Sequence, residues 1–165
     1  MKELPKRKPN RLKDYDYSQN GAYFITICVK DKHCILWGNN VGANRVRPQL
    51  SEIGNIIEKE INKIEVAYEN IIVDKFVIMP NHIHLIIVIH DDGDGVLDID
   101  GRTRFAPTVS RIIKQTKGLA TKQNGFSIWQ RSFHDHIIRN EKDYNRIAEY
   151  IENNPANWET DCFYS

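Results

Sequence analysis

Two apolar runs that meet at a tight turn lie in the middle of this chain and leave few choices of fold. The runs are IIVDKFVIM (71–79) and HIHLIIVIH (82–90), and only Pro80 and Asn81 separate them. Proline suits the first central position of a turn, and asparagine tolerates the second. Each run is rich in β-branched residues, which favour strands. The pattern therefore predicts an antiparallel hairpin of two strands.

The segments around this hairpin alternate between strand and helix patterns. A strand is predicted over 22–30, and helices are predicted over about 51–66 and 107–123. A short strand over 134–139 and a helix over about 140–153 follow. The first six elements have the order βαββαβ. The chain is therefore predicted to be an α+β protein, a ferredoxin-like sandwich with helices packed on an antiparallel sheet.

The ends of the predicted helices carry recognisable signals. Ser51 and Asn140 are predicted N-caps, because their side chains can accept hydrogen bonds from the first-turn amides. Pro155 is expected to interrupt the last helix near Asn153 and to disfavour helical backbone at Asn154.

Length and composition indicate one globular domain. The chain has 165 residues, of which 41% are apolar and 27% are charged. No apolar run reaches the roughly 18 residues that a membrane span needs. Three cysteines without metal-type spacing favour a reduced intracellular compartment. We expect a basic N-terminal arm over 1–20 and a single domain over 21–165.

Charge is concentrated in blocks, although the formal net charge is only +1. Residues 91–100 carry five Asp and no basic residue, whereas residues 102–134 carry seven Lys or Arg and no acid. Residues 1–13 are also basic. Such blocks favour a polyanion-binding face, although a solvated tail and helix face would look the same. The candidate DNA-contacting residues are Lys6, Arg7, Arg111, Lys114, Lys117, Lys122 and Arg131.

His82 and His84 form a candidate metal site at the start of the second hairpin strand. Residues two apart on a strand point to the same face, so the two imidazoles lie side by side. Neutral imidazoles bind several divalent cations. Alternatively, the rings only form hydrogen bonds at a sheet end. His134 and His136 repeat the spacing and are a rival or supporting pair.

The last predicted helix offers a candidate nucleophile. Its apolar stripe is centred on Tyr144, which is expected in the core, whereas Tyr150 lies about 100° away on the flank. Asn154 follows one turn later on the same flank and could supply a third metal ligand. A tyrosine can attack a phosphodiester and become joined to the phosphate. A boundary tyrosine without chemistry is the alternative.

Several blocks of the chain resemble the REP-associated tyrosine transposases, which belong with the single-tyrosine transposases of the HUH superfamily. The blocks are DYSQNGAYFITICVKD, DKFVIMPNHIHLIIVI and SIWQRSFHDHIIRNEKDYNRIAEYIENNP, together with Trp158. The resemblance runs from about residue 14 to 158. The MPNHIH block followed by YIxNNP is its most specific part. The Asp-rich segment 91–100 is not part of it.

The resemblance implies a single-strand DNA endonuclease of the HUH type. It implies Mg²⁺ or Mn²⁺ on His82, His84 and Asn154, with Tyr150 as the nucleophile. The 5′-phosphotyrosine intermediate would allow the DNA to be rejoined, often beside a hairpin of REP-like palindromic sequence. The implied protein is bacterial, cytoplasmic and nucleoid-associated, and it acts as a monomer or a homodimer.

Three other functions remain open from the residues. A nuclease with the same site could cut without rejoining. A non-catalytic DNA-hairpin-binding protein would bind DNA unchanged when Tyr150 is replaced by Phe. A metal-binding or structural domain would show no salt-dependent binding to oligonucleotides.

Overall fold

The computed structural model describes residues 15–38, 49–90 and 108–164. Lys6 and Arg7 of the predicted basic arm lie outside the described residues, as does the Asp-rich segment 91–100.

A four-stranded sheet forms the centre of the molecule. Its strands are β1 (Gly21–Cys28), β2 (Ile71–Ile78), β3 (His82–Ile89) and β4 (His134–Ile138). Their order in the sheet is β2-β3-β1-β4, and every neighbouring pair is antiparallel. The predicted hairpin is the β2–β3 pair. The predicted α+β sandwich of βαββαβ order is therefore confirmed.

Four helices accompany the sheet: α1 (Glu52–Asn62), α2 (Ile64–Ala67), α3 (Val109–Asn124) and α4 (Glu141–Asn153). The single helix predicted over 51–66 is wrong in one respect, because it breaks between α1 and α2. Lys63, at φ −82° and ψ −11°, turns the chain there, and Ile64 beyond it is buried. Among the described residues, no helix has the length and apolar character that crossing a membrane requires.

Both predicted N-caps are confirmed. The Ser51 hydroxyl accepts from the Gly54 amide at 3.0 Å, and the Asn140 side chain accepts from the Asp143 amide at 2.9 Å. Helix α4 ends at Asn153 as expected, and a 3₁₀ helix over Asn154–Thr160 follows it. The expectation that Pro155 moves the preceding residue out of the helical region is wrong.

The backbone of Asn154 keeps φ −56° and ψ −45°, because the 3₁₀ helix accommodates the following proline in its first turn. The Asn154 side chain therefore stays close to the helical direction of α4.

Residues 15–20 are the part of the predicted basic arm that the structure describes. Tyr17 is 9% exposed, and its ring centroid lies 6.1 Å from that of Tyr23 on β1. Tyr15 also packs against this core. Tyr15 and Tyr17 of the predicted arm therefore lie against the domain.

The two faces of the sheet are covered differently. Helices α1 and α3 contact each other and pack on one face, where Ile83, Leu85 and Ile87 of β3 join a large apolar core. On the other face, Ile86 packs against Ile147 and Ile151 of α4 in a much smaller cluster. His82 and His84 alternate with the first set on β3, and they therefore lie on the α4 face.

Candidate active site

The paired histidines lie side by side at the beginning of β3. In the sheet, His82 is opposite Cys28 and His84 is opposite Thr26, both on β1. The two side chains are 0% and 1% exposed, and their Nε2 atoms are 2.9 Å apart. The turn before β3 thus delivers two imidazoles to one buried place, as their spacing predicts.

Each imidazole is oriented through its other nitrogen. Nδ1 of His82 lies 2.8 Å from Oδ1 of Asn81, and Nδ1 of His84 lies 2.8 Å from the Thr26 hydroxyl. The Asn81 amide nitrogen donates to the carbonyls of Lys32 and Phe163. Its oxygen must therefore accept from Nδ1–H of His82. Nε2 of neutral His82 then carries a lone pair directed at His84 rather than a proton, as a metal ligand requires.

Burial keeps both rings neutral. Loss of water lowers the pKa of His82 to about 4, against a smaller opposing effect of the Asp161 charge. Burial, followed by the neighbouring His82, lowers the pKa of His84 to about 3. Near neutral pH the pair therefore offers uncharged nitrogen ligands.

Tyr150 reaches this pair from α4. Its hydroxyl lies 3.2 Å from Nε2 of His84, and its side chain is 38% exposed. The tyrosine lines a cavity of about 370 Å³, together with Asn154 and Asp161. In contrast, the Tyr144 hydroxyl donates to Asp74 at 2.6 Å. The predicted separation of the two tyrosines is thus present in the structure.

Asp161 is a site residue that the sequence did not reveal. It follows the 3₁₀ helix, in the C-terminal segment formed by residues 154–164. One carboxylate oxygen accepts from the Tyr150 hydroxyl at 2.9 Å, and the other accepts from the Phe163 amide at 2.7 Å. Ligand atoms of His82, His84 and Asp161 all lie within 4.8 Å of one another.

The Asp161 carboxylate also sets the electrostatics of Tyr150. Burial and then the hydrogen bond to Asp161 raise the pKa of Tyr150 well above its usual value. Burial raises the pKa of Asp161 itself, but the hydrogen bonds from Phe163 and Tyr150 outweigh this effect and lower it. The pair is therefore a neutral phenol beside an ionised carboxylate.

Asn154 lies at the edge of the same cavity and is 2% exposed. Its amide nitrogen is directed toward Tyr150 and Asp161, whereas its amide oxygen has no hydrogen-bond partner within the described part of the chain. A buried oxygen without a partner costs free energy, so this oxygen is available to a ligand.

The remaining part of the site is aromatic. The Phe163 ring centroid lies 4.5 Å from that of His82, and the Phe24 ring stacks on His84 at 5.2 Å. Trp158 also contacts His82, at 5.9 Å. These rings cover the imidazoles and exclude water from them. The positions of these rings and of Thr26 depend on strand register and on the path of the C-terminal segment. Neither of these can be read from a local sequence pattern.

The rival histidine pair does not form a comparable site. His136 Nε2 binds the Asp143 carboxylate at 2.7 Å, and both His134 and His136 are exposed. Among the described residues, the three-ligand group that could hold a metal is the one formed by His82, His84 and Asp161.

The candidate DNA-contacting residues divide into two groups. Arg111, Lys114, Lys122 and Arg131 are exposed. Lys117 is turned inward, where its ammonium donates to the Gln130 carbonyl at 2.6 Å. Burial lowers the pKa of Lys117. This lysine therefore ties α3 to the strand-like segment beyond it, and its placement does not suit a phosphate contact.

The comparison with known proteins finds no matching family model. A Haemophilus influenzae protein of uncharacterized function is 37% identical over 171 residues, covering 96% of this chain and 93% of the relative. A second protein of the same organism, named "Putative REP-associated tyrosine transposase", is 26% identical over 145 residues, covering 86% and 73%.

One solved structure shares the fold. It is described as a REP-associated tyrosine transposase bound to a REP hairpin, with a TM-score of 0.63 and 21% identity. The match covers 90% of this chain and 74% of that one. The chain is therefore similar to the REP-associated tyrosine transposases, in sequence through the second relative and in fold through this structure.

Proposed function

We propose that this protein cuts single-stranded DNA beside a hairpin through attack by Tyr150, and that it can rejoin the cut strand. The observation that carries the proposal is the position of the Tyr150 hydroxyl, 3.2 Å from Nε2 of His84 and open to a cavity. A phenol placed between a histidine pair and solvent is suited to attack on a phosphodiester.

The reaction transfers a phosphoryl group from one oxygen to another. The Tyr150 oxygen forms a bond to phosphorus while the bond from phosphorus to the 3′ oxygen breaks. The phenolic proton leaves along the hydrogen bond to Asp161, and the 3′ oxygen takes up a proton as it departs. The protein then holds a 5′-phosphotyrosine. A free 3′-hydroxyl can reverse these steps and rejoin the strand.

A divalent cation, Mg²⁺ or Mn²⁺, fits the residues at this site. His82 and His84 supply neutral nitrogens, and Asn154 supplies a buried oxygen without a partner. A bound cation would offset charge on the phosphate and favour the phenolate form of Tyr150. That help is needed, because the surroundings raise the pKa of Tyr150. Asn81 and Thr26 hold the rings in position for it.

Hairpin DNA is the substrate that we propose for this site. The related solved structure is of a REP-associated tyrosine transposase bound to a REP hairpin. On this chain, Arg111, Lys114 and Lys122 are exposed along α3, where they could bind phosphates. Phe126 is 56% exposed at the end of α3, where it could stack on an unpaired base. Trp129 is buried and belongs to the core.

The first test is covalent adduct formation with a pool of 5′-tailed DNA hairpins in Mn²⁺ or Mg²⁺, resolved on a denaturing gel. We expect a slower-migrating protein–DNA adduct with the wild-type chain and none in EDTA. The Tyr150→Phe variant should form no adduct, since it lacks the attacking oxygen.

Tyr144→Phe is the matched control, because Tyr144 lies on the same helix but is bonded to Asp74 away from the histidines. This variant should form the adduct as the wild-type chain does. Retained adduct in Tyr150→Phe would refute Tyr150 as the nucleophile. Tight hairpin binding without any adduct would favour a non-catalytic hairpin-binding protein.

A further inference from the structure

We propose that Asp161 is the anionic ligand of the cation site and bridges the cation to the nucleophile Tyr150. This inference rests on the proposed function, since it concerns the same site. It assigns a metal-binding role to the C-terminal segment, residues 154–164, which lies beyond the helix that carries Tyr150.

The first argument is convergence. Asp161 places a carboxylate oxygen within 4.8 Å of ligand nitrogens of both His82 and His84. These three side chains come from β3 and from a segment about 80 residues later in the chain. One cation at 2.0–2.6 Å from each donor holds ligand atoms at about this separation.

The second argument is charge. His82 and His84 are neutral, and the amide of Asn154 is neutral too, so these three donors bring no negative charge. Mg²⁺ and Mn²⁺ are hard cations that favour carboxylate oxygens. Asp161 is the ionisable oxygen donor within the three-ligand group that the described residues form.

The third argument is orientation. The Phe163 amide donates to one Asp161 oxygen at 2.7 Å, and the carbonyl of Phe163 accepts from the Asn81 amide nitrogen at 2.9 Å. Asn81 also orients His82 through its oxygen. One amide side chain therefore fixes the histidine and, through Phe163, the segment that carries the carboxylate.

The same carboxylate already contacts the nucleophile. Tyr150 donates to Oδ2 of Asp161 at 2.9 Å. A carboxylate has enough lone pairs to bind a cation and still accept this hydrogen bond. Asp161 would then hold the attacking oxygen at a set distance from the cation. Loss of the carboxylate should weaken cation binding even when no DNA is present.

The test is Mn²⁺ binding to the full chain, stripped of metal, followed by calorimetry and by the EPR signal of free Mn²⁺. Asp161→Asn should weaken Mn²⁺ binding by at least about 10-fold, the lower end of what supporting residues of metal sites contribute. Glu159→Gln is the matched acid-to-amide control from the same segment, and it should change the affinity by less than about 2-fold. Thermal unfolding of each variant shows whether it is folded.

The outcomes separate this inference from the proposed function. If folded Asp161→Asn binds Mn²⁺ as tightly as the wild-type chain does, the inference is overturned. Adduct formation by that variant would still leave Tyr150 as the nucleophile. An equal loss of affinity in Glu159→Gln would also overturn it, because the effect would then be one of general charge. Absence of Mn²⁺ binding to the wild-type chain would overturn both the inference and the metal dependence of the proposed function.

Discussion

The two faces of the sheet make different uses of the same strands. On the face covered by α1 and α3, β3 presents Ile83, Leu85 and Ile87, each at most 1% exposed. On the face covered by α4, it presents His82 and His84, which are buried to the same degree. The same degree of burial therefore applies to apolar side chains on one face and to polar imidazoles on the other.

The apolar face contributes stability, because removal of its side chains from water is favourable without any partner. Buried imidazoles gain little in that way and must be satisfied by polar neighbours. Thr26, Asn81 and Tyr150 supply those neighbours, and each is a precise contact. The candidate site therefore lies on the α4 face, where the apolar cluster is small, while the large core on the opposite face stabilises the fold.

Neighbouring residues on β3 provide the strongest test of this division. Leu85→Ala should lower the free energy of unfolding by about 2–5 kcal/mol, as for other buried leucines, and should still form the adduct below its melting temperature. His84→Gln should lower the rate of adduct formation by at least about 100-fold, because a proposed cation ligand is lost. Denaturant unfolding and the gel assay measure the two effects. The division fails if Leu85→Ala, while folded, loses the adduct as His84→Gln does.

The pH dependence of stability should come from the histidine face. Burial places the pKa of His82 at about 4, against a value of 6.5 in the unfolded chain. As the pH falls below 6.5, His82 becomes protonated in the unfolded chain but stays neutral in the folded chain. The free energy of unfolding is therefore greatest above pH 6.5 and declines as the pH falls toward 4. In EDTA, the free energy of unfolding should fall by about 2 kcal/mol between pH 7 and pH 5 on account of His82.

Denaturant titrations at several pH values measure this decline. His82→Gln should remove the part of the decline that is due to His82 and leave the part due to the buried His84, whereas Leu85→Ala should shift the whole curve downward without changing its slope. A wild-type curve that stays level from pH 7 to pH 5 would contradict the neutral, buried state of the histidine.

The smallest effects are expected on the outer side of α3, which covers the apolar face. Lys114→Met should reduce hairpin affinity and lower the slope of log K against log salt by about 1, because one proposed phosphate contact is lost. Lys117→Met should leave that slope unchanged and instead reduce stability, since the Lys117 ammonium is bonded to the Gln130 carbonyl. Fluorescence anisotropy at several salt concentrations measures the slopes. Equal slopes for Lys114→Met and the wild-type chain would indicate that Lys114 does not contact DNA and that DNA binds on the α4 side of the sheet.

Local patterns predicted the parts of this molecule that local chemistry determines. The hairpin followed from apolar runs around Pro80 and Asn81, and the helix starts followed from Ser51 and Asn140. The shared face of His82 and His84 followed from the two-residue period of a strand. Each of these signals is contained within a few neighbouring residues.

The features that escaped prediction depend on distant contacts. Asp161 reaches the histidines only because the 3₁₀ helix after Asn153 redirects the chain toward β3. The break at Lys63 and the inward turn of Lys117 are also set by packing against other elements. A basic residue on a helix is usually solvated. The sequence around Lys117 does not indicate that its ammonium contacts the carbonyl of Gln130.

The hydrogen bond between Asn81 and Phe163 affects the fraction of molecules in which the site is complete. If residues 154–164 undock as a local unit, the sheet and its large core remain folded while Asp161 leaves the histidines. The measured affinity for a cation is then the intrinsic affinity scaled by the fraction of molecules in which this segment is docked. Cation binding and ordering of the segment would therefore favour each other, and amide hydrogen exchange in this part of the chain should slow when Mg²⁺ is added.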